Sequence, residues 1–281
     1  MQTPASRLRA ALRPRDVVAV LGVPAVLVAV FALPAPLRES FVFSPAAPSL
    51  VSAYATHFVH RSAGHLLGNL AVYGLAVPAA YLLAVLGDCR QVFFIPFVGV
   101  LIALPLVLSA LHVLLGSSGQ VVGFSGLNMA FVGMLPLFET VYLARLERDI
   151  RLDHAPALFF AGAAVVAARV VPPGDTRLVI VAGTTLVAVV YAGHVYRELS
   201  AAAIRNLLEH TGEFELVLGT VVVFFVAVFL AFPADPVRSG GVVDVYGHFL
   251  GYALGFVATF LAFRIDDPTL RPPRPPGEHS A

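Results

Sequence analysis

Residues 91–115 read QVFFIPFVGVLIALPLVLSALHVLL and contain no Asp, Glu, Lys or Arg. An α-helix rises about 1.5 Å per residue, so this stretch is long enough to cross a hydrocarbon layer of about 30 Å. It is apolar all round rather than along one face, which indicates lipid rather than water as its surroundings. The segment is therefore predicted to be a membrane-spanning helix.

Similar apolar runs recur along the whole chain. Of its 281 residues, 58% are hydrophobic and 12% are charged, whereas soluble domains contain about 25% charged residues. A water-soluble fold is excluded, and a net charge of +1 provides no field that would recruit nucleic acid. Because open strands would leave backbone groups unpaired in lipid, the predicted fold class is all-α, a polytopic bundle of about eight transmembrane helices. The predicted spans are 16–34, 65–86, 91–115, 122–144, 155–171, 177–195, 214–232 and 242–264.

The predicted transmembrane domain, 16–266, is flanked by a cytoplasmic N-terminal segment, 1–15, and a proline-rich tail, 267–281, that is predicted to be disordered. The first apolar run is long and no small-residue cleavage site follows it, so we interpret it as a retained span. Most arginines lie on one side if both termini are cytoplasmic, as expected for a multi-pass protein of the cell membrane. The segments on the other side contain only Arg38, Arg61, Arg177 and Arg238.

Two spans begin with polar residues that a purely structural membrane helix does not need. His65 and Asn69 are four residues apart and therefore share one helix face. Ser125 stands between Gly123 and Gly126, whose small size lets another backbone or a substrate approach the hydroxyl. These residues are candidates for a site in the membrane.

The last span contains a third polar motif. His248 shares a helix face with Gly251 and Gly255, and these glycines permit close packing while the imidazole faces a neighbouring helix. His248 is therefore a third candidate for a site in the membrane.

With the motifs H-x-x-x-N, G-x-S-G and H-x-x-G-x-x-x-G in this order, the chain resembles the rhomboid family of intramembrane proteases from about residue 50 to 264. The resemblance implies serine endopeptidase activity on transmembrane segments of other proteins within the lipid bilayer. It implies Ser125 as nucleophile and His248 as base, with no cofactor and no metal. The implied oxyanion hole consists of the side chains of His65 and Asn69 with the backbone N–H of Ser125.

The chain also departs from the family pattern. The family core has one span between the serine and histidine spans, whereas three are predicted here, which preserves parity and leaves both residues at the same membrane face. Many bacterial members have a Tyr four residues after the nucleophile, where this chain has Met129. Another group must then orient His248, and neither Asp244 nor Tyr252 is obviously placed to do so from its own helix.

The depth of the dyad can be estimated from the sequence. Ser125 lies 14 residues before Glu139, interpreted as a cytoplasmic boundary, and His248 lies 16 residues before Arg264. These separations correspond to about 21 and 24 Å of helix. Both groups are therefore expected about 6–9 Å below the outer face of a hydrocarbon core of about 30 Å.

Three other interpretations remain open. The chain could be a non-catalytic rhomboid-like protein that binds client helices, or a transporter whose polar residues line a path, although no inverted repeat is visible. His57, His60 and His65 suggest a zinc site, but no ligand carboxylate accompanies them, and the single Cys89 rules out a thiolate cluster. The sequence does not indicate an oligomeric state.

Overall fold

The computed structural model of the protein describes residues 12–117, 119–210, 212–235, 237–238 and 241–266. The predicted tail, 267–281, and most of the predicted N-terminal segment, 1–15, lie outside the described residues. The helices are α1 (Pro14–Phe31), α2 (Ala35–Glu39), α3 (Leu50–Ala55), α4 (Ala63–Leu86), α5 (Arg90–Leu114), α6 (Ser125–Leu146), α7 (Pro156–Val170), α8 (Asp175–Glu198), α9 (Ala201–Glu209), α10 (Glu213–Ala231) and α11 (Val245–Asp266). Short 3₁₀ turns at Thr56–Phe58 and Leu152–His154 and a two-stranded ladder of β1 (Val237–Arg238) and β2 (Gly241–Val242) complete the described elements.

Seven of these helices are long and apolar enough to span a membrane, which confirms the predicted all-α polytopic bundle. They are α1, α4, α5, α6, α8, α10 and α11. The span predicted at 155–171 is instead the shorter helix α7, with 15 residues. Pro156 is in its first turn, and Val171, which precedes Pro172, is already extended. Proline favours both this start and this end, so the helix is shorter than the apolar run.

Helix α6 lies at the centre of the bundle, and every residue from 126 to 140 on it is buried. It packs against α4, α5, α10 and α11. Phe131 on α6 contacts Tyr73 of α4 and Phe97 of α5, with ring centroids 5.8 and 5.4 Å apart. A helix surrounded by other helices must be apolar on all sides, which accounts for the uniform composition of this stretch.

Glycines bring α6 and α11 into backbone contact. A methyl group at Gly251 would meet the carbonyl of Gly126, and one at Gly255 would meet the carbonyl of Ala130. Gly133 on α6 leaves the same room for the carbonyl of Tyr252. Small residues are the usual means of close helix packing in membranes, since lipid gives apolar side chains little reason to associate. The two helices that carry Ser125 and His248 are therefore held at a short, fixed separation.

Helices α7 and α8 form an antiparallel hairpin beside the bundle. Near the start of α7, His154 contacts Glu198 at the end of α8, with 3.0 Å between Nε2 and Oε2. Near the end of α7, Arg169 Nε donates to the carbonyl of Phe232, which directly follows α10, at 2.7 Å. Helix α7 thus runs from the opposite end of the bundle towards the serine end, meaning the end that carries Ser125. The chain therefore changes direction along the bundle as many times as predicted, although α7 is short.

Glu139 lies inside the bundle rather than at its boundary. Its residue is 2% exposed, and α6 continues for two further turns to Leu146. Neither carboxyl oxygen has a hydrogen-bond partner among the described residues. Glu139 is therefore not at an exposed boundary of the protein, and the depth estimate that uses it stays a prediction; with 22 residues after and including Ser125, α6 extends about 33 Å from Ser125.

Candidate active site

Ser125 is the first residue of α6, and the turn before it depends on Gly123. Gly123 has a φ of +106°, which side chains of L-residues strongly disfavour. The ring of His65 lies directly against it, because a methyl group at Gly123 would be 2.5 Å from His65 Cε1 and 2.6 Å from Nε2. The glycine therefore both permits the turn and brings the imidazole of His65 to the nucleophile loop.

Ser125 and His248 are in direct contact although 123 positions separate them in the sequence. The distance from Ser125 Oγ to His248 Nε2 is 2.7 Å. The other ring nitrogen, Nδ1, lies 2.9 Å from the backbone carbonyl of Ala231. A carbonyl only accepts, so Nδ1 carries the proton and Nε2 presents its lone pair to the serine hydroxyl. This is the tautomer that a general base requires.

The carbonyl that orients His248 belongs to the last residue of α10. The final carbonyls of a helix have no intrahelical partner and lie at the negative end of its dipole, which favours a positive charge nearby. The ring of Phe232 packs edge-on against the imidazole, with centroids 5.8 Å apart. Met129 and Tyr252 do not supply this contact, because Met129 packs near Gly251 and the hydroxyl of Tyr252 donates to Phe159. No pattern in the sequence points to Ala231, since every residue has a carbonyl.

Asp244 does not bond to the imidazole of His248. Its Oδ1 accepts from the N–H of Gly247, which caps the start of α11, and its Oδ2 lies 2.8 Å from His112 Nε2 on α5. Burial opposes ionisation, but the hydrogen bonds with His112 and Gly247 outweigh it and lower the pKa of Asp244. Asp244 is therefore an ionised cap that ties the start of α11 to α5.

Asn69 is held by a partner that sequence reasoning missed. Asn128, one turn after Ser125, donates to both the side-chain oxygen and the carbonyl of Asn69, at 3.0 and 2.9 Å. One N–H of the Asn69 amide donates to the carbonyl of His65 at 3.1 Å, and an amide has a second N–H. The available signal was Asn128 itself, an amide on a helix that is otherwise almost wholly apolar.

His65 is close to a second buried histidine. The ring of His60 meets it edge-on, with centroids 4.9 Å apart. His60 Nδ1 donates to the carbonyl of Phe58 at 3.3 Å, and Nε2 has no hydrogen-bond partner among the described residues. Burial, with a smaller contribution from the charge of His65, lowers the pKa of His60 to about 4. This histidine is therefore neutral at ordinary pH.

His57 has a different partner from His60 and His65. Its Nε2 lies 3.1 Å from Ser109 Oγ, and that hydroxyl donates to the carbonyl of Ala53, so it accepts from His57. Burial lowers the pKa of His57 to about 4. The histidines considered as a zinc site, His57, His60 and His65, thus face different partners.

One group among the described residues has the spacing of metal ligands, at the opposite end of the bundle. Ligand atoms of His154, His194 and Glu198 all lie within 4.8 Å of one another. However, His154 Nδ1 accepts the backbone N–H of Arg151 at 3.3 Å, so Nε2 carries the proton that it donates to Glu198. The guanidinium of Arg151 also pairs with Glu198 at 3.4 Å. A metal would need the other tautomer of His154, and we interpret the group as an ion-pair network.

The candidate site residues fall into two groups by their contacts. Ser125 and His248 form a hydrogen bond, whereas His65 and Asn69 reach the nucleophile loop through Gly123 and Asn128. No family model, no curated protein and no solved structure matches the chain. The geometry of the site therefore carries the functional conclusion.

Proposed function

We propose that this protein is an intramembrane serine endopeptidase of the rhomboid type. The observation that carries the proposal is the 2.7 Å contact between Ser125 Oγ and His248 Nε2, at the ends of two helices that are long enough to span a membrane. A serine that only packs between helices needs no imidazole in the basic tautomer directed at its oxygen.

The dyad accounts for both halves of peptide hydrolysis. As Ser125 Oγ bonds to the carbonyl carbon, His248 Nε2 takes its proton and the carbonyl electrons move to oxygen. The imidazolium then donates that proton to the departing nitrogen as the C–N bond breaks, leaving an acyl-enzyme and a free amine. Water attacks the ester, His248 takes a proton from it and returns one to Oγ, and a carboxylate leaves. Each cycle consumes one water and needs no cofactor.

The negative oxygen of the intermediate requires donors on the other side of the carbonyl. Ser125 N–H, at the start of α6, has no backbone acceptor among the described residues, and the helix start favours negative charge. The second N–H of Asn69 and the ring of His65 are the further donors in this proposal. Loss of one such donor costs about 3–4 kcal/mol of transition-state stabilisation.

The substrates in this proposal are transmembrane segments of other proteins. A dyad at the end of spanning helices is reached by a peptide bond near the membrane surface, and a helical substrate must unwind locally to expose it. The arginine distribution supports a cell-membrane protein with both termini in the cytoplasm and the dyad near the outer face.

The test is cleavage of a model transmembrane substrate by purified protein in detergent, together with labelling of Ser125 by a fluorophosphonate. Wild type is expected to cleave and to be labelled with or without a chelator, and Ser125→Ala and His248→Ala are expected to do neither. Ser40→Ala and His210→Ala, which change residues outside the site, serve as matched controls. Cleavage that survives Ser125→Ala would refute the dyad. Absence of both cleavage and labelling in wild type would favour the non-catalytic alternative.

A further inference from the structure

We propose that Arg169, on the hairpin of α7 and α8, is a positioning residue for the catalytic histidine; this inference rests on the proposed function. The hairpin supplies the two extra predicted spans between Ser125 and His248, and the resemblance assigns it no role. Its contact with the site runs from Arg169 through the end of α10 to His248.

Arg169 contacts the last turn of α10 and the residue that follows it. Its Nε donates to the carbonyl of Phe232 at 2.7 Å. Its guanidinium carbon lies 3.6 Å from the ring centroid of Phe229. The residue just before Phe232 is Ala231, whose carbonyl accepts from His248 Nδ1. Arg169 thus binds the peptide unit next to the one that sets the tautomer of the base.

The end of α10 is also held by the N–H of Phe232, which donates to the carbonyl of Val228 at 3.1 Å, and by the buried ring of Phe232, but neither contact binds the carbonyl of Phe232. Phe232 has already left helical geometry, with φ of −115° and ψ of 77°. The last carbonyls of a helix lack intrahelical partners, and helix ends fray unless something binds them. An arginine is costly in an apolar span, and its side chain here is only partly buried but makes two specific contacts. These contacts indicate that Arg169 holds the turn from which Ala231 reaches His248.

Arg169 acts in this inference through geometry rather than charge. During acylation His248 becomes positive, and the carbonyl of Ala231 with the negative end of α10 stabilises it, as a carboxylate does in a catalytic triad. A positive guanidinium beside that carbonyl would oppose the charge on His248. What Arg169 provides is the position of the carbonyl, and an uncharged donor at the same place should serve equally well.

Three substitutions separate these contributions. Arg169→Gln places an amide nitrogen at the same number of bonds from the backbone as arginine Nε, so it keeps the donor and removes the charge. Arg169→Met keeps an unbranched chain without a donor, and Arg169→Lys keeps the charge with a methylene at that position. Arg205→Met, which changes an exposed arginine on α9, is the matched control.

The experiment measures kcat and KM for a model transmembrane substrate, together with hydrogen exchange of the peptide that contains the end of α10. Arg169→Met is expected to lower kcat by about 10- to 100-fold with KM unchanged and to speed exchange at 228–233. Arg169→Lys should resemble Arg169→Met, whereas Arg169→Gln should stay within about threefold of wild type. Equal losses in Arg169→Met and Arg169→Gln, or wild-type kcat and exchange in Arg169→Met, would overturn the inference. If wild type shows neither cleavage nor labelling, the proposed function itself fails, whatever the exchange data show.

Discussion

Gly251→Ala tests whether the short separation of α6 and α11 sets the reaction rate. The new methyl carbon would lie 3.1 Å from the carbonyl carbon of Gly126, and closer still to its oxygen. Carbon atoms pack at about 3.5–4.0 Å, so the backbones must separate by about 1 Å near the dyad. The 2.7 Å contact between Ser125 and His248 would then exceed hydrogen-bond distance.

The expected effect of this change is large. A misplacement of about 1 Å costs about 100-fold in rate, equivalent to about 2.7 kcal/mol of transition-state stabilisation. The assay is the rate of fluorophosphonate labelling and of substrate cleavage, with thermal unfolding in detergent to verify that the variant is folded. Gly183→Ala on α8 is the control, because a methyl group there meets no other atom within 4 Å. Alanine is the better helix former by about 1 kcal/mol, so a loss at position 251 cannot come from helix propensity. A folded Gly251→Ala protein with the wild-type rate would refute the reasoning.

Three further predictions concern polar groups. Asp244→Asn should keep kcat within tenfold of wild type, because Asp244 bonds to His112 and not to His248. If Asp244 were a third member of the triad, the substitution would lower kcat about 10⁴-fold, and kinetics at neutral pH distinguishes the two cases. His57 and His60 are neutral when folded, with pKa about 4, and have pKa about 6.5 when unfolded, so their stability contribution is complete above pH 6.5 and is lost as pH falls towards 4. Between pH 7 and pH 5 each histidine should lower the free energy of unfolding by about 2 kcal/mol, which is measured as a lower unfolding midpoint. An unfolding midpoint that depends on pH as strongly in His57→Gln as in wild type would contradict this prediction. Glu139→Leu should raise the unfolding midpoint, because it removes a carboxyl that has no hydrogen-bond partner among the described residues. The expected gain in the free energy of unfolding is about 1–3 kcal/mol. A lower midpoint would show that the carboxyl is hydrogen-bonded in the membrane.

The all-α polytopic fold could be predicted because lipid imposes it. A long apolar run without charges has few alternatives to a spanning helix, so seven of the eight predicted spans are helices of that length. The exception, 155–171, is apolar enough but is shortened by Pro156 and Pro172, which act on backbone geometry that hydropathy does not describe. Glu139 was misplaced for a related reason, because sequence alone does not show which helix faces are covered by protein.

The candidate site was predictable only where side-chain chemistry is unusual for a membrane helix. Ser125 and His248 stand out against apolar neighbours, and parity puts them at the same end of the bundle. The group that orients His248 is a backbone carbonyl, which every residue carries, so its identity depends entirely on how α10 ends beside α11. Arg169 was visible as an isolated charge in a span, but its partner lies 63 positions away and no local pattern indicates it.

The 123 positions between the proposed nucleophile and the proposed base have a consequence for biosynthesis. At about 5–20 residues per second, a ribosome takes about 6–25 s to pass from Ser125 to His248. Throughout that interval the nascent chain holds a serine without a base, and the carbonyl of Ala231 is made just before the histidine it orients. In the proposed function, a chain released before α11 would therefore be proteolytically inert, and the membrane that receives this protein is exposed to its activity only after the last described helix has been inserted.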